Sequence, residues 1–129
     1  KQHKTLKLRI PPYTSPRNIW RKKIHELAIK EAVDCCITYS KKDRLQIEVR
    51  IYLDEPALLK HDVDNRLKDI MDALQGRAGG SKKKQILEPI IPNDSQVYLV
   101  SVEKLLAPKQ SKGYGHVKVS KYKPSIKQS

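Results

Sequence analysis

A chain of 129 residues is one domain's worth, and with 38% hydrophobic residues, no Phe and one Trp its core has to be aliphatic. Lys and Arg number 27 against 14 Asp and Glu, a formal +13. This surplus indicates a polyanionic partner such as nucleic acid and says nothing about fold. No apolar run approaches the ~20 residues of a membrane span, and no signal-peptide pattern opens the chain. Cys35 and Cys36 are adjacent, which makes neither a disulfide framework nor a CxxC site; they are expected as small, at least half-buried side chains near a helix end. A cytoplasmic protein without a membrane partner is expected.

Charge is distributed unevenly. Residues 1–30 hold nine basic side chains and one acid, a net +8, and residues 104–129 hold seven basic side chains and no acid, a net +7. Residues 31–103 hold 11 basic and 13 acidic residues, a net −2. An acidic centre between two basic ends needs a reason that passive coating of DNA does not provide.

In chain order, Thr5-Leu6-Lys7-Leu8-Arg9-Ile10 alternates polar and apolar and predicts a strand ended by Pro11-Pro12. Ser15-Pro16 reads as an N-cap followed by Pro at the first helical position. Trp20, Ile24, Leu27 and Ala28 form the apolar stripe of the helix that follows, with Arg17, Arg21, Lys22 and Lys23 around it. Leu45, Ile47, Val49, Ile51 and Leu53 alternate without a break, the clearest strand in the chain. A second helix is predicted over 62–75, with Val63, Leu67, Ile70, Met71 and Leu74 at helical spacing. Residues 76–92 form a long basic connector carrying Arg77 and Lys82-Lys83-Lys84. Strands are predicted from Val97 to Glu103 and from Val117 to Lys121, and 121–129 is expected to be a mobile tail. The pattern is that of an α+β protein: a single small domain over 1–129, a mixed β-sheet packed against two main helices, in strand-helix-strand-helix-strand-strand order.

The acids concentrate on the second helix. Asp62-Val63-Asp64-Asn65 stands at its start, and Asp64, Lys68 and Asp72 share one polar stripe opposite the apolar one. Asn93-Asp94-Ser95-Gln96 presents a further carboxylate from a loop before a strand. Hard divalent cations take oxygen ligands and need only one or two carboxylates beside water and phosphate oxygens. An Asp-x-Asp pair with a third Asp brought in by the fold supplies these, and a nearby Lys can stabilise charge on a phosphodiester under attack. No Cys or His cluster has zinc-ligand spacing. The same residues have ordinary uses: Asp62 as an N-cap, Asp64 against the helix dipole, and Asp64, Lys68 and Asp72 as an ion-pair ladder. His25 and His116 belong to no pattern, and Gly76 to Lys82 lacks the spacing of a nucleotide-binding loop.

The run from His61-Asp62-Val63-Asp64-Asn65 through Lys68 to Asp72-Ala73-Leu74, with Asn93-Asp94-Ser95-Gln96-Val97, resembles the RusA family of Holliday junction resolvases. Ile10-Pro11-Pro12 before a helix resembles it more weakly, and the fold expected is RusA-like. The resemblance implies a Mg²⁺-dependent endodeoxyribonuclease, with Mn²⁺ as a possible substitute, acting as a homodimer that nicks two strands across a four-way junction. A two-fold dimer suits a substrate of near two-fold symmetry. It implies Asp62, Asp64 and Asp94 as metal-binding catalytic carboxylates and Lys68 as the catalytic lysine, with Asn65 and Asp72 supporting. Phosphate contacts are expected from Arg17, Arg21, Lys22, Lys23, Lys60, Arg77, Lys82, Lys83 and Lys84. Asn93 departs from the family, which has an acid there, and the 76–92 connector is longer than in compact members. A recombination or repair role, in a bacterium or prophage, follows from the resemblance alone. The alternatives are a non-catalytic basic DNA-binding protein on the same scaffold, or a nuclease selective for flaps or forks.

Overall fold

The alternation in 6–10 becomes strand β1 (Leu6–Ile10), with Leu6, Leu8 and Ile10 buried and Lys7 and Arg9 exposed. This computed structural model describes residues 5–14, 16–77, 88–124 and 126. Helix α1 (Arg17–Asp34) follows, with Pro16 at the N-cap; Ser15, the expected cap, lies outside the described residues. Its buried stripe is Trp20, Ile24, Ala28 and Ala32, spaced by four, joined by His25. Leu27 was expected on that stripe but is exposed, because the stripe continues toward Ala32. Trp20 Nε1 donates to Pro11 O at 3.0 Å, tying the helix to the end of β1. The helix stops at Cys35 and Cys36, the latter at φ 56°, and both thiols are exposed rather than half-buried.

β2 (Leu45–Leu53) buries every second residue and runs through the middle of the sheet. A short helix not announced by periodicity, α2 (Glu55–Lys60), is capped by Asp54, whose Oδ1 accepts from Ala57 N at 3.0 Å. Helix α3 (Val63–Leu74) buries Ile70, Ala73 and Leu74, and also the charged Arg66 and Asp69. A single turn of 3-10 helix at Asp94–Gln96 leads into β3 (Val97–Leu106), and β4 (Tyr114–Lys121) is the last regular element among the described residues. Both strands are three residues longer than the sequence pattern indicates. Residues 78–87 of the connector and 125 and 127–129 of the tail lie outside the described residues.

The sheet order is β1-β4-β2-β3, antiparallel at β1-β4 and β4-β2 and parallel at β2-β3. The molecule is thus a small α+β domain with a mixed four-stranded sheet and three helices among the described residues. One row of strand side chains joins Trp20, Ile24, Ile70 and Leu74 in a continuous core under α1 and α3. The opposite row of the sheet has no helix over it among the described residues. Gly113 closes the turn into β4 at φ +108°, where a Cβ would stand 2.6 Å from Tyr52 O, so both the conformation and the space require glycine.

Candidate active site

The chain leaves β2 at Leu53, forms α2 and enters α3 through His61 and Asp62. Lys104, on β3 opposite Ile51, donates from Nζ to Leu58 O at 2.7 Å and to His61 O at 2.9 Å. These two bonds satisfy carbonyls at the end of α2 and tether the backbone just before Asp62 to the sheet. The His61 ring meets Tyr13 edge-on at 5.2 Å. Burial, and then the neighbouring Arg66 and Lys104 charges, hold its pKa below the usual imidazole value.

Asp62 occupies the N-cap of α3, yet its side chain makes no capping hydrogen bond. Asp64, one residue into the helix, and Lys68, one turn on, are exposed beside it, as is Asn65. The expected ladder does not form: among the described residues Lys68 makes no ion pair, and Asp72 instead pairs with Arg21 at 3.2 Å. Two carboxylates at the N-terminal end of α3 and an ammonium group one turn further along therefore stand without partners among the described residues.

Asp94 does not join them. It lies in the turn before β3, where the Gln96 side chain donates to Ser40 O and Asp43 O, both at 2.8 Å, beside the start of β2. Asn93 and Gln96 close a reciprocal cap around this turn, with Ser95 N donating to Asn93 Oδ1 and Asn93 N to Gln96 Oε1. Asn93, read as a lost acid, thus has a structural task. Asp62 belongs with the other end of β3, next to Lys104. At ~3.3 Å per residue, the strand between Val97 and Lys104 spans about 23 Å. Consistently, Ile90 and Ile91 donate to Leu74 O at the C-terminal end of α3, with Asp94 just beyond. Among the described residues no group of three or more His, Cys, Asp or Glu side chains could hold a metal ion. The expected three-carboxylate constellation is not assembled within one chain.

The helices meet through a buried charge cluster that sequence reasoning missed. Asp69 is 0% exposed and its Oδ1 accepts from Arg17 Nε and Arg21 Nε, both at 2.9 Å. Arg66 lies 3.4 Å away on the other oxygen, its guanidinium 3.6 Å over the Tyr13 ring. Hydrogen bonding to Asp69 raises the Arg17 pKa. Arg17 and Arg21, expected to hold phosphates, are thus engaged in joining α1 to α3; Arg17 remains 43% exposed, Arg21 only 17%. Lys22, Lys23, Lys60 and Arg77 are exposed as expected, and Lys82, Lys83 and Lys84 lie outside the described residues. Helical spacing gave no signal for Asp69, since the stripe of Val63, Leu67, Ile70, Met71 and Leu74 sets it on the polar side, and only packing against α1 buries Arg66, Asp69 and Ala73 as well.

A comparison with protein-family models finds no match, and a comparison with curated proteins finds none either. No helix among the described residues is long and apolar enough to cross a membrane.

Proposed function

We propose that the protein is a Mg²⁺-dependent endodeoxyribonuclease that acts on branched DNA as a homodimer, the activity implied by the RusA resemblance. One observation carries this reading: Asp62 and Asp64 at the start of α3 and Lys68 one turn further in are exposed, and neither a capping hydrogen bond nor an ion-pair ladder engages them, although Asp64 also suits the helix dipole from the first turn.

By donor chemistry Asp62 and Asp64 suit a hydrated hard cation, which needs few protein ligands. Bound there, Mg²⁺ would supply a more acidic water and offset phosphate charge. Lys68, one turn along, would stabilise the extra negative charge on the phosphodiester. Lys104 would position the pair by fixing the backbone ahead of Asp62. Lys22, Lys23 and Lys60 would hold the DNA backbone, a contact that reads shape rather than sequence.

Asp94 enters this scheme through the dimer. Among the described residues β3 is a sheet edge, with Tyr98, Leu99 and Val100 exposed, Tyr98 by 55%, and an unpaired edge carrying apolar side chains invites pairing. A second copy set antiparallel along it would bring the partner's Asp94 toward Asp62 and Asp64, and would form two equivalent sites.

The test is nicking of labelled four-way junction, flap, fork and duplex DNA with and without Mg²⁺. Junction-selective nicking only with Mg²⁺ is expected, with Asp64→Asn and Asp94→Asn each inactive but still binding. Mixing the two inactive variants should restore nicking, since one site of each mixed dimer would be intact. Tight, salt-sensitive binding without cleavage would instead favour a non-catalytic DNA-binding protein, the reading to which the separation of Asp94 lends support. Preference for flaps or forks would change the substrate but keep the chemistry.

A further inference from the structure

The row of strand residues turned away from the helices is basic. Strand register sets Lys7 opposite Lys118, and Lys118 opposite Glu48; one row along, Arg9 faces His116, which faces Arg50. Like charges directly opposite one another on adjacent strands repel, and the relief is small. Among the described residues the single ion pair on this face is Lys118 to Glu48 at 3.8 Å, with Glu103 the other acid, beside Arg50. Lys7, Arg9, Arg50, His116 and Lys118 are all exposed and line a groove of ≈ 430 Å³.

Aromatic rings stand at one end of this groove. Tyr52 and Tyr114 stack at 4.6 Å, the Arg9 guanidinium lies 4.4 Å from the Tyr114 ring centroid, and His116 meets both tyrosines edge-on. Cations interleaved with aromatics on an open sheet are the surface on which an unpaired nucleic-acid strand lies, because its bases are free to contact rings while its phosphates meet the charges. A duplex keeps its base faces stacked inside, so it would meet this surface mainly through its phosphates and leave the rings without a partner.

We propose that this open sheet face binds single-stranded DNA, with Lys7, Lys118, Arg9 and Arg50 on phosphates and the outward ring edges of Tyr52, Tyr114 and His116 against bases. The face lies on the far side of the sheet from α3 and is separate from the carboxylate site. The choice of DNA over RNA rests on the nuclease reading above; the surface itself does not.

The test is fluorescence anisotropy in EDTA, where no cleavage occurs, using labelled oligo-dT of about 20 nucleotides, longer than one site of roughly 4–16. Arg9→Ala with Arg50→Ala should weaken binding at least ~10-fold and reduce the salt slope by about 1.4, at ~0.7 per phosphate contact. Lys7→Ala with Lys118→Ala should act similarly, and leaves the Arg9 contact with Tyr114 in place should its loss unfold the chain. Lys30→Ala with Lys109→Ala removes the same charge elsewhere and should stay within about twofold of wild type. The proposal is overturned if both face variants bind like wild type or if the control pair loses as much. It is also overturned if a blunt duplex of equal length binds more tightly than oligo-dT. Tighter binding of oligo-U would overturn the choice of DNA. Absence of nuclease activity with this binding intact would count against the nuclease reading alone.

Discussion

Replacing Asp69 by Asn tests whether α1 is held to α3 by charge. The substitution keeps shape and removes the only full negative charge that three guanidinium groups share. Removing one partner of a buried pair costs roughly 3–5 kcal/mol, because the remaining charge is left uncompensated. Here the cost is unequal among the three arginines. Arg17 can turn into water and Arg21 retains Asp72, whereas Arg66 is buried with its Nε and Nη1 already without hydrogen-bond partners. The lower end of the range, about 3 kcal/mol, is therefore expected. For a domain of this size that is a loss of roughly 10 °C in Tm. Urea unfolding followed by fluorescence suits the measurement, since Trp20 is the single tryptophan, is buried, and lies near Arg66. Removing the stranded charge as well, by combining Asp69→Asn with Arg66→Met, should recover part of the loss. A loss below about 1 kcal/mol in the single variant, or no recovery in the double, would refute the reasoning.

Two further predictions concern stability. Burial pushes the Tyr39 hydroxyl up to about 12, while its hydroxyl donates to Val119 O at 3.1 Å. The unfolded chain loses this proton near pH ~10, so above that pH the folded state binds more protons and stability falls as pH rises. The contribution is full below about pH 10 and gone above about 12, an alkaline loss of roughly 3 kcal/mol that Tyr39→Phe should flatten in urea midpoints measured from about pH 9 upward. Gly113→Ala should cost about 1–3 kcal/mol, from its positive φ and the approach of Tyr52 O; an unchanged midpoint would show that the β4 turn yields easily.

Much of the architecture was legible in the sequence because period and burial coincide. The unbroken alternation of 45–53 could only be a half-buried strand, and the spacing of Trp20, Ile24 and Ala28 only a helix packed on one side. Leu27 was misplaced because an apolar residue at the stripe's border can face either way, and the direction is decided by what packs against it. The extra length of β3 and β4 escaped notice because edges and turns carry weak patterns, whereas backbone pairing extends as far as a partner strand does. The placement of Asp62, Asp64 and Lys68 at the start and over the first two turns of one helix was legible, since near neighbours in sequence stay on one element whatever the rest of the chain does.

Local spacing alone therefore determined the helix that presents these three residues, the aliphatic rows of the core, and the basic surplus. Three matters depended on residues distant in sequence and were decided only by tertiary structure. The parallel pairing of β2 with β3 sets Asp94 at the opposite end of the sheet from Asp62. The packing of α1 on α3 turns Arg17 and Arg21 from free cations into partners of Asp69. The insertion of β4 between β1 and β2 gathers Lys7, Arg9, Arg50 and Lys118 on one face. Sequence periodicity reports which side of its own element a residue occupies; which charges then meet is set by strand order and helix docking.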